Sequence, residues 1–536
     1  MKRISLFKFL KVILLSAVVV LLAVFIMSYK ANLDIDEAYT YGLSNSSFQM
    51  NIENFKEYSG EELLIDYTAV KDGEQFNVKN VLFNQKMDTH PPLYFLLVNF
   101  ICSLNKMKFS MWYGLIINIL FLIVLFWNMS YLLNKIIGNK TFSIILSYMA
   151  LLLYGFINFY TFTRMYVMLS AVSMTFVSLI VDFLTRRRES NSEIDFKFII
   201  LFYIICVFGI LTQYHFMIVA GFFSIVLLAY YLKNKMYKQL IATFFAGVAS
   251  ILTSIMIFPT MLDHIFNKST SAHAVNALSR TETLSETFRE LLFGLNKSFF
   301  GMGIIIFIIL ILLGLAILII KKKLNTKSIL PFVRTHYLYF IFLLCSILYY
   351  VVICLTVKFS FQRYLYNVYP LIYIVIISSV YIIYKKLNKY FVFIAIIFAF
   401  ILCITTNYKN SPTSLNIEDA MFSQYLYNNK DTKMILLYRT VDKELNRNSG
   451  NTSLWKMPSS IYIFKDMTNM TFVDISNDSA LTSFSNETIE GYNDIFLVIY
   501  TFENDDYLIK NVMAKNNVSR CEKVYFTTYY HMYHFY

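Results

Sequence analysis

Long apolar runs alternate along the chain with short basic clusters, and this pattern predicts a bundle of membrane-spanning helices. A hydrocarbon layer about 30 Å thick takes about 20 mostly apolar residues per helix. Eleven such runs fall at residues 8–28, 111–133, 141–158, 165–184, 198–213, 216–231, 239–258, 298–320, 337–357, 365–384 and 391–406. The first lacks a small-residue cleavage site and is followed by many others, so it reads as a retained helix rather than a signal peptide. The apolar stretch PPLYFLLVNFICSL at residues 91–104 is short for a perpendicular helix and reads as re-entrant or interfacial. The pattern changes at about Asn407. IEDAMFSQYLYNN has the spacing of an amphipathic helix, and MILLY, IYIF, TFVDI, DIFLVIY and KVYFTTY read as strands, with DYLIKNVMAKN a helix between the last two. The predicted fold class is a polytopic α-helical membrane protein of about eleven transmembrane helices over residues 1–406, with a soluble α/β domain at 407–536.

Charge placement orients this thread. Lys2, Arg3, Lys8 and Lys11 put the N-terminus in the cytoplasm. Lys135 with Lys140, the triplet Arg186, Arg187 and Arg188, and the lysines within 233–238, 321–323 and 385–389 then fall between alternate pairs of spans. All can be cytoplasmic if residues 91–104 do not span, and an odd span count leaves the C-terminal domain extracellular. The large loop at 29–110 lies outside with it, and its stretches FQMNIENFKEY and EQFNVKNVLFNQ suit helices on the membrane surface.

Composition agrees: hydrophobic residues are 57% and charged residues 15%, against about 25% charged in soluble domains. A net charge of +13 would suit nucleic acid, but the basic residues sit in clusters at span ends, so membrane lipid and not nucleic acid is the expected partner. The six cysteines show no ligand spacing and read as small buried hydrophobes.

Five polar features interrupt the apolar background. LDIDEAYTYG carries Asp34, Asp36 and Glu37 just after the first span. Acids there could deprotonate an acceptor hydroxyl, bind a metal, or simply end a solvated helix. MDTHPPLYF holds Asp88 and His90 before two prolines that fix the returning chain. FYTFTRMYVMLS places Arg164 at the outer end of a span, and LTQYHFMIVAGFF places Gln213 and His215 at the next outer junction. VKFSFQRYLYNVYP brings Lys358, Arg363, Tyr364 and Tyr366 to the outer face. Basic residues there run against the cytoplasmic bias. A lipid phosphate accounts for them, since the arginine fork matches phosphate oxygens; snorkelling to ordinary headgroups is the alternative.

DIDEAYTYG, DTHPPLYFLL, TRMYVMLS and FQRYLYNVYPLIYI, in that order, resemble the GT-C superfamily. More narrowly they resemble the bacterial branch of the dolichyl-phosphate-mannose protein mannosyltransferase and aminoarabinose lipid A transferase group, over residues 8–405. The resemblance implies a GT-C-like fold, a polyprenyl-phosphate-linked monosaccharide donor, and transfer on the extracytoplasmic side to a cell-envelope acceptor. That acceptor could be a protein, a teichoic acid, a wall polysaccharide or a glycolipid. It also implies an acidic catalytic base early in the first outer loop, which falls on Asp36 and Glu37, with Asp36 preferred. Arg164, His90 and Arg363 match other polar positions of the group; Arg363, with Lys358 and Arg164 beside it, is assigned to donor phosphate. His215 and Tyr364 complete the polar substrate set. Relatives commonly carry an acid two positions before the arginine, where this chain has Phe162, and Asp88 is the nearest substitute. No cofactor is certain, and a divalent metal on Asp36, Glu37 and Asp88 stays open. A lipid-linked glycan transporter and a non-catalytic glycan-binding scaffold are the alternatives. A transporter should carry ionisable groups deep in several spans, whereas the mid-membrane stretches here are almost free of them.

Overall fold

The computed structural model describes residues 6–186, 194–266, 281–300, 303–321, 329–357, 361–387, 389–407, 417–439, 454–475, 492, 494–500, 506, 508–510, 513 and 520–536. In chain order, the helices that position the candidate residues are α1 (Leu6–Met27), α2 (Ile35–Asn45), α3 (Gly60–Thr68), α4 (Val78–Met87), α5 (Leu93–Ser103) and α6 (Trp112–Ile137). Then come α7 (Lys140–Leu151), α8 (Tyr154–Thr161), α9 (Tyr166–Thr185), α10 (Phe196–Thr212), α11 (Phe216–Lys233) and α12 (Tyr237–Ile257). The chain divides into two compact units, one of Met1–Tyr29, Thr89–Tyr94 and Leu115–Pro412, the other of Lys30–Asp88, Phe95–Gly114 and Thr413–Tyr536.

The first unit holds the apolar helices that make this a multi-pass membrane protein. Among the described residues seven are long and apolar enough to cross: Lys8–Met27, Trp112–Ile137, Tyr166–Thr185, Phe216–Lys233, Tyr237–Ile257, Tyr337–Thr356 and Gln362–Leu387. Among the described residues the count is therefore seven, or eight if a bent helix pair is taken as one span, below the eleven expected. The run at 141–158 is two helices, α7 and α8, bent by 70°. Leu152 is the last residue in helical conformation and Leu153 is extended, which breaks the ladder without proline or glycine. The Tyr160 hydroxyl donates to the Leu151 carbonyl left over at the break, at 3.2 Å. Three more of the eleven runs give shorter apolar stretches among the described residues, Phe196–Thr212, Ile304–Ile320 and Phe391–Cys403, the last two within the helices Gly303–Ile320 and Lys389–Asn407. α5, from the stretch kept out of the count, has 11 residues.

The second unit is built on a six-stranded sheet ordered β1-β3-β2-β4-β6-β5. The strands are β1 (Glu57–Tyr58), β2 (Lys433–Tyr438), β3 (Met470–Asp474), β4 (Ile495–Ile499), β5 (Cys521–Phe526) and β6 (His531–Phe535). β2 runs parallel to both β3 and β4, and the remaining pairs are antiparallel. All six residues of β2 and all five of β4 are buried, as expected for strands covered on both faces. Alternate residues divide between two cores. Met434, Leu436, Phe472, Phe496 and Val498 pack with Leu63, Leu64 and Tyr67 of α3 and with Leu426 of the helix Ile417–Asn428. Ile435, Leu437, Val473, Leu497 and Ile499 pack on the opposite face with Leu508.

Three sequence expectations change here, the first being that FQMNIENFKEY is helical: residues 48–58 are irregular and end in β1. IYIF is not a strand. Residues 461–466 form a turn after the 3-10 helix Leu454–Ser459, closed by Phe464 N–H to Ser460 carbonyl at 3.0 Å, and Ile461, Ile463 and Phe464 enter the first core. β1, inside the first loop, pairs Glu57 with Thr471 and Tyr58 with Met470, and β6 adds a further strand that the pattern did not announce.

Gly60 shows how closely the first loop joins this sheet. Its N–H donates to Met467 carbonyl at 2.8 Å, and a Cβ there would lie 1.8 Å from the Phe464 carbonyl oxygen. The obstacle is backbone, so it cannot swing aside. Gly60→Ala should cost about 1–3 kcal/mol or more, read as a lower thermal midpoint of the detergent-solubilised protein. An unchanged midpoint would contradict this packing.

Candidate functional site

In the second unit, the acidic motif is the N-terminus of α2. Asp34 caps the helix, accepting from the Asp36 N–H at 2.9 Å, and Glu37 reaches back to accept from the Asp34 N–H at 2.8 Å. This reciprocal arrangement satisfies amides that a helix start leaves open. Glu37 also pairs with Lys30 at 2.8 Å, with the two side chains 1% and 0% exposed. Glu37 is thus committed to holding the helix start. Asp36, in the first turn, is half-buried, and its carbonyl accepts from the Thr40 hydroxyl at 2.8 Å.

Asp88 is the C-cap of α4 and is half-buried. Both acids bear on one phenol. Ionisation of Tyr39 is pushed up by burial first, then by the charge of Asp88, then by that of Asp36. Tyr67 is pushed up likewise by burial, Tyr39 and Asp88. Two motifs far apart in sequence thus each carry a carboxylate whose charge reaches Tyr39, and the Tyr39 hydroxyl donates to the Trp455 carbonyl at 2.8 Å. Neither tyrosine was singled out from sequence. Tyr39 carries a signal that could have found it, since it lies three residues after Asp36 on one helix and so shares its face. Among the described residues, no three His, Cys, Asp or Glu side chains gather closely enough to hold a metal ion.

In the first unit, a buried asparagine ties together two of the remaining motifs. Asn118, on α6, accepts from the Tyr94 hydroxyl at 3.1 Å and donates to the carbonyls of Tyr160 at 3.1 Å and Phe162 at 2.8 Å. The Phe162 carbonyl also receives the Arg164 N–H at 2.8 Å. The proline-led return segment and the TFTR turn are thus fixed to the same side chain. Arg164 itself is buried, at 5% exposure. Phe162, standing where an acid would be expected, stacks on Tyr166 at 6.1 Å, and Tyr166 meets the edge of Tyr366 at 5.6 Å. The Ser170 hydroxyl closes the contact on the Tyr366 carbonyl at 3.1 Å.

Arg363 lies half-buried in the 3-10 helix Gln362–Val368, with its guanidinium 4.2 Å from the centre of the Phe361 ring. Tyr364, next to it, faces His215 with ring centres 6.0 Å apart. His215 stands in the link between α10 and α11. Burial, with His90 adding, pushes its pKa down from 6.5 to about 4. His90, His215 and Tyr364 therefore come together from three separate motifs. Lys358 lies outside the described residues.

This histidine sets a pH dependence. Neither the folded nor the unfolded chain protonates it above 6.5, so it contributes nothing there. Between 6.5 and about 4 the unfolded chain takes the proton and the folded one resists, so stability falls as pH falls through that window. His215→Gln should flatten this part of a thermal-midpoint profile against pH. An equally steep profile in the variant would contradict the assignment.

No protein-family model and no curated protein matches the chain. Among solved structures, the crystal structure of ArnT from Cupriavidus metallidurans bound to undecaprenyl phosphate is similar at 10% identity and a TM-score of 0.46, over 98% of this chain and 97% of that one. The crystal structure of an oligosaccharyltransferase from Archaeoglobus fulgidus, tethered with an acceptor peptide containing the NVT sequon via a disulfide bond, is similar at 10% identity and a TM-score of 0.42, over 97% of this chain and 70% of that one.

Proposed function

We propose that this protein is a glycosyltransferase that moves a monosaccharide from a polyprenyl-phosphate donor to a cell-envelope acceptor on the outer face of the membrane. The observation that supports the reading is that Asp36 and Asp88, from two motifs of the GT-C resemblance, both act on the ionisation of the buried Tyr39. In this reading the N-terminus is cytoplasmic, and the first loop and residues 407–536 are extracytoplasmic.

The chemistry needs little beyond these side chains. Asp36 accepts the proton of the acceptor hydroxyl as its oxygen attacks the anomeric carbon. The carbon–oxygen bond to phosphate breaks, and the electron pair leaves on polyprenyl phosphate. A single displacement inverts the anomeric centre. By the resemblance, Arg363, Arg164 and Lys358 are the residues proposed to offer positive charge to the departing phosphate. Asp88 is proposed as the second acid, while His90, His215 and Tyr364 offer polar contacts to substrate.

The donor-binding half of this reading is tested with Arg363→Ala. Losing one charge-assisted contact of about 1.5–3 kcal/mol should weaken binding of a polyprenyl-phosphate sugar roughly tenfold or more, measured on purified protein with labelled donor. Affinity equal to that of the unaltered protein would remove Arg363 from the site.

A further inference from the structure

We propose that the second unit carries a saccharide-binding groove that takes a neutral oligosaccharide, separately from the Asp36–Asp88 pair. Three distant segments form an open cavity of about 730 Å³: α3, residues 107–112, and the turn at 462–466. That volume lies in the ~300–1,000 Å³ range of small-molecule sites.

Its wall is preformed. Met107 N–H donates to the Val70 carbonyl at 2.8 Å, which holds the segment in place despite a positive φ of 56° at Met107. The Tyr41 hydroxyl donates to the Met111 carbonyl at 2.9 Å and accepts from the Gly114 N–H at 3.1 Å. These bonds fix the backbone that carries the half-buried Trp112. Opposite, Tyr462 meets the edge of Phe109 at 6.0 Å and carries the Lys465 ammonium over its ring at 4.6 Å. Lys465 is 3.3 Å from Asp466, and Glu61 completes the polar lining from α3.

The chemistry of this lining selects the ligand. Glu61 and Asp466 offset Lys108 and Lys465, so no net charge draws in a phosphate or a polyanion. An acyl chain would leave four charged groups facing hydrocarbon, at a cost. The lining comes from helix, loop and turn, so no open strand edge pairs with a peptide backbone. A sugar ring fits: its C–H face lies on the Trp112 indole beside Tyr462, and its hydroxyls both donate to carboxylates and accept from ammonium groups.

The chain has three tryptophans, so Trp127→Phe with Trp455→Phe leaves Trp112 as sole reporter in the full-length protein. Titration with maltotriose, mannotriose and chitotriose should give a saturable change in Trp112 emission with at least one of them. Tyr462→Ala should weaken it about tenfold or more, whereas Asp36→Asn should leave it intact. Saturation-transfer NMR on the unaltered protein gives the same comparison should the tryptophan variant fold poorly. No saturable binding of any of the three overturns the proposal, as does an unchanged affinity in Tyr462→Ala, or saturation by short peptides but not by saccharides. Because the readout is binding, saccharide retained without sugar transfer would count against the transferase reading alone, and the converse against the groove alone.

Discussion

Asp36→Asn should lower sugar transfer roughly 10²- to 10⁴-fold while leaving donor affinity little changed, the usual range for losing a general base. Asparagine keeps the size of the side chain and loses the lone pair that takes the proton. The start of α2 should survive the change. Asp34 bonds the backbone N–H of Asp36, and Thr40 bonds its backbone carbonyl, so neither contact uses the carboxylate. The measurement is turnover of labelled donor by purified protein, beside donor binding. Near-normal turnover in a folded Asp36→Asn variant would remove this residue as the base, and loss of donor binding with it would point to a ground-state role.

Glu37→Ala should act differently and nearly as strongly, through the fold. It strands Lys30 in a site with no exposure and removes the bond to the Asp34 amide. Breaking one side of a buried ion pair costs about 3–5 kcal/mol, whereas replacing both partners by apolar residues of similar size is often close to neutral. The thermal midpoint should drop sharply in Glu37→Ala and largely recover in the double variant Lys30→Met with Glu37→Met. Activity per folded molecule should follow the midpoint. A Glu37→Ala protein of normal stability and no activity would exchange the roles of the two acids.

Length and apolarity made helices such as α1, α6, α9 and α12 legible in the sequence, because the membrane imposes one physical demand over 20 residues or so. β2 and β4 were legible as unbroken apolar runs. The bend at 152–153 was not, since both positions are leucine and the nearest glycine, Gly155, lies inside α8. IYIF failed for another reason: four apolar residues fit a buried turn as well as a strand. β1 is two residues long, and its partner β3 lies some four hundred residues along the chain, so no local pattern could reveal the pairing. At the site, the acids and arginines stood out because charge is rare in this chain. Glu37's engagement by Lys30 was hidden in the same stretch, as an ion pair depends on burial that sequence does not show. Asn118 was overlooked although it left a signal, an amide in the middle of the apolar run 111–133.

The most direct measurement is the anomeric outcome and yield of transfer from a labelled polyprenyl-phosphate monosaccharide to envelope fractions from cells lacking the gene. Purified protein and its Asp36→Asn variant are compared side by side. The expected result is labelled sugar in the envelope fraction with inverted anomeric configuration, release of polyprenyl phosphate in equal amount, and a rate at least about 10²-fold lower for the variant. Equal label with both proteins, or no transfer by the unaltered protein to any envelope fraction, would contradict the account.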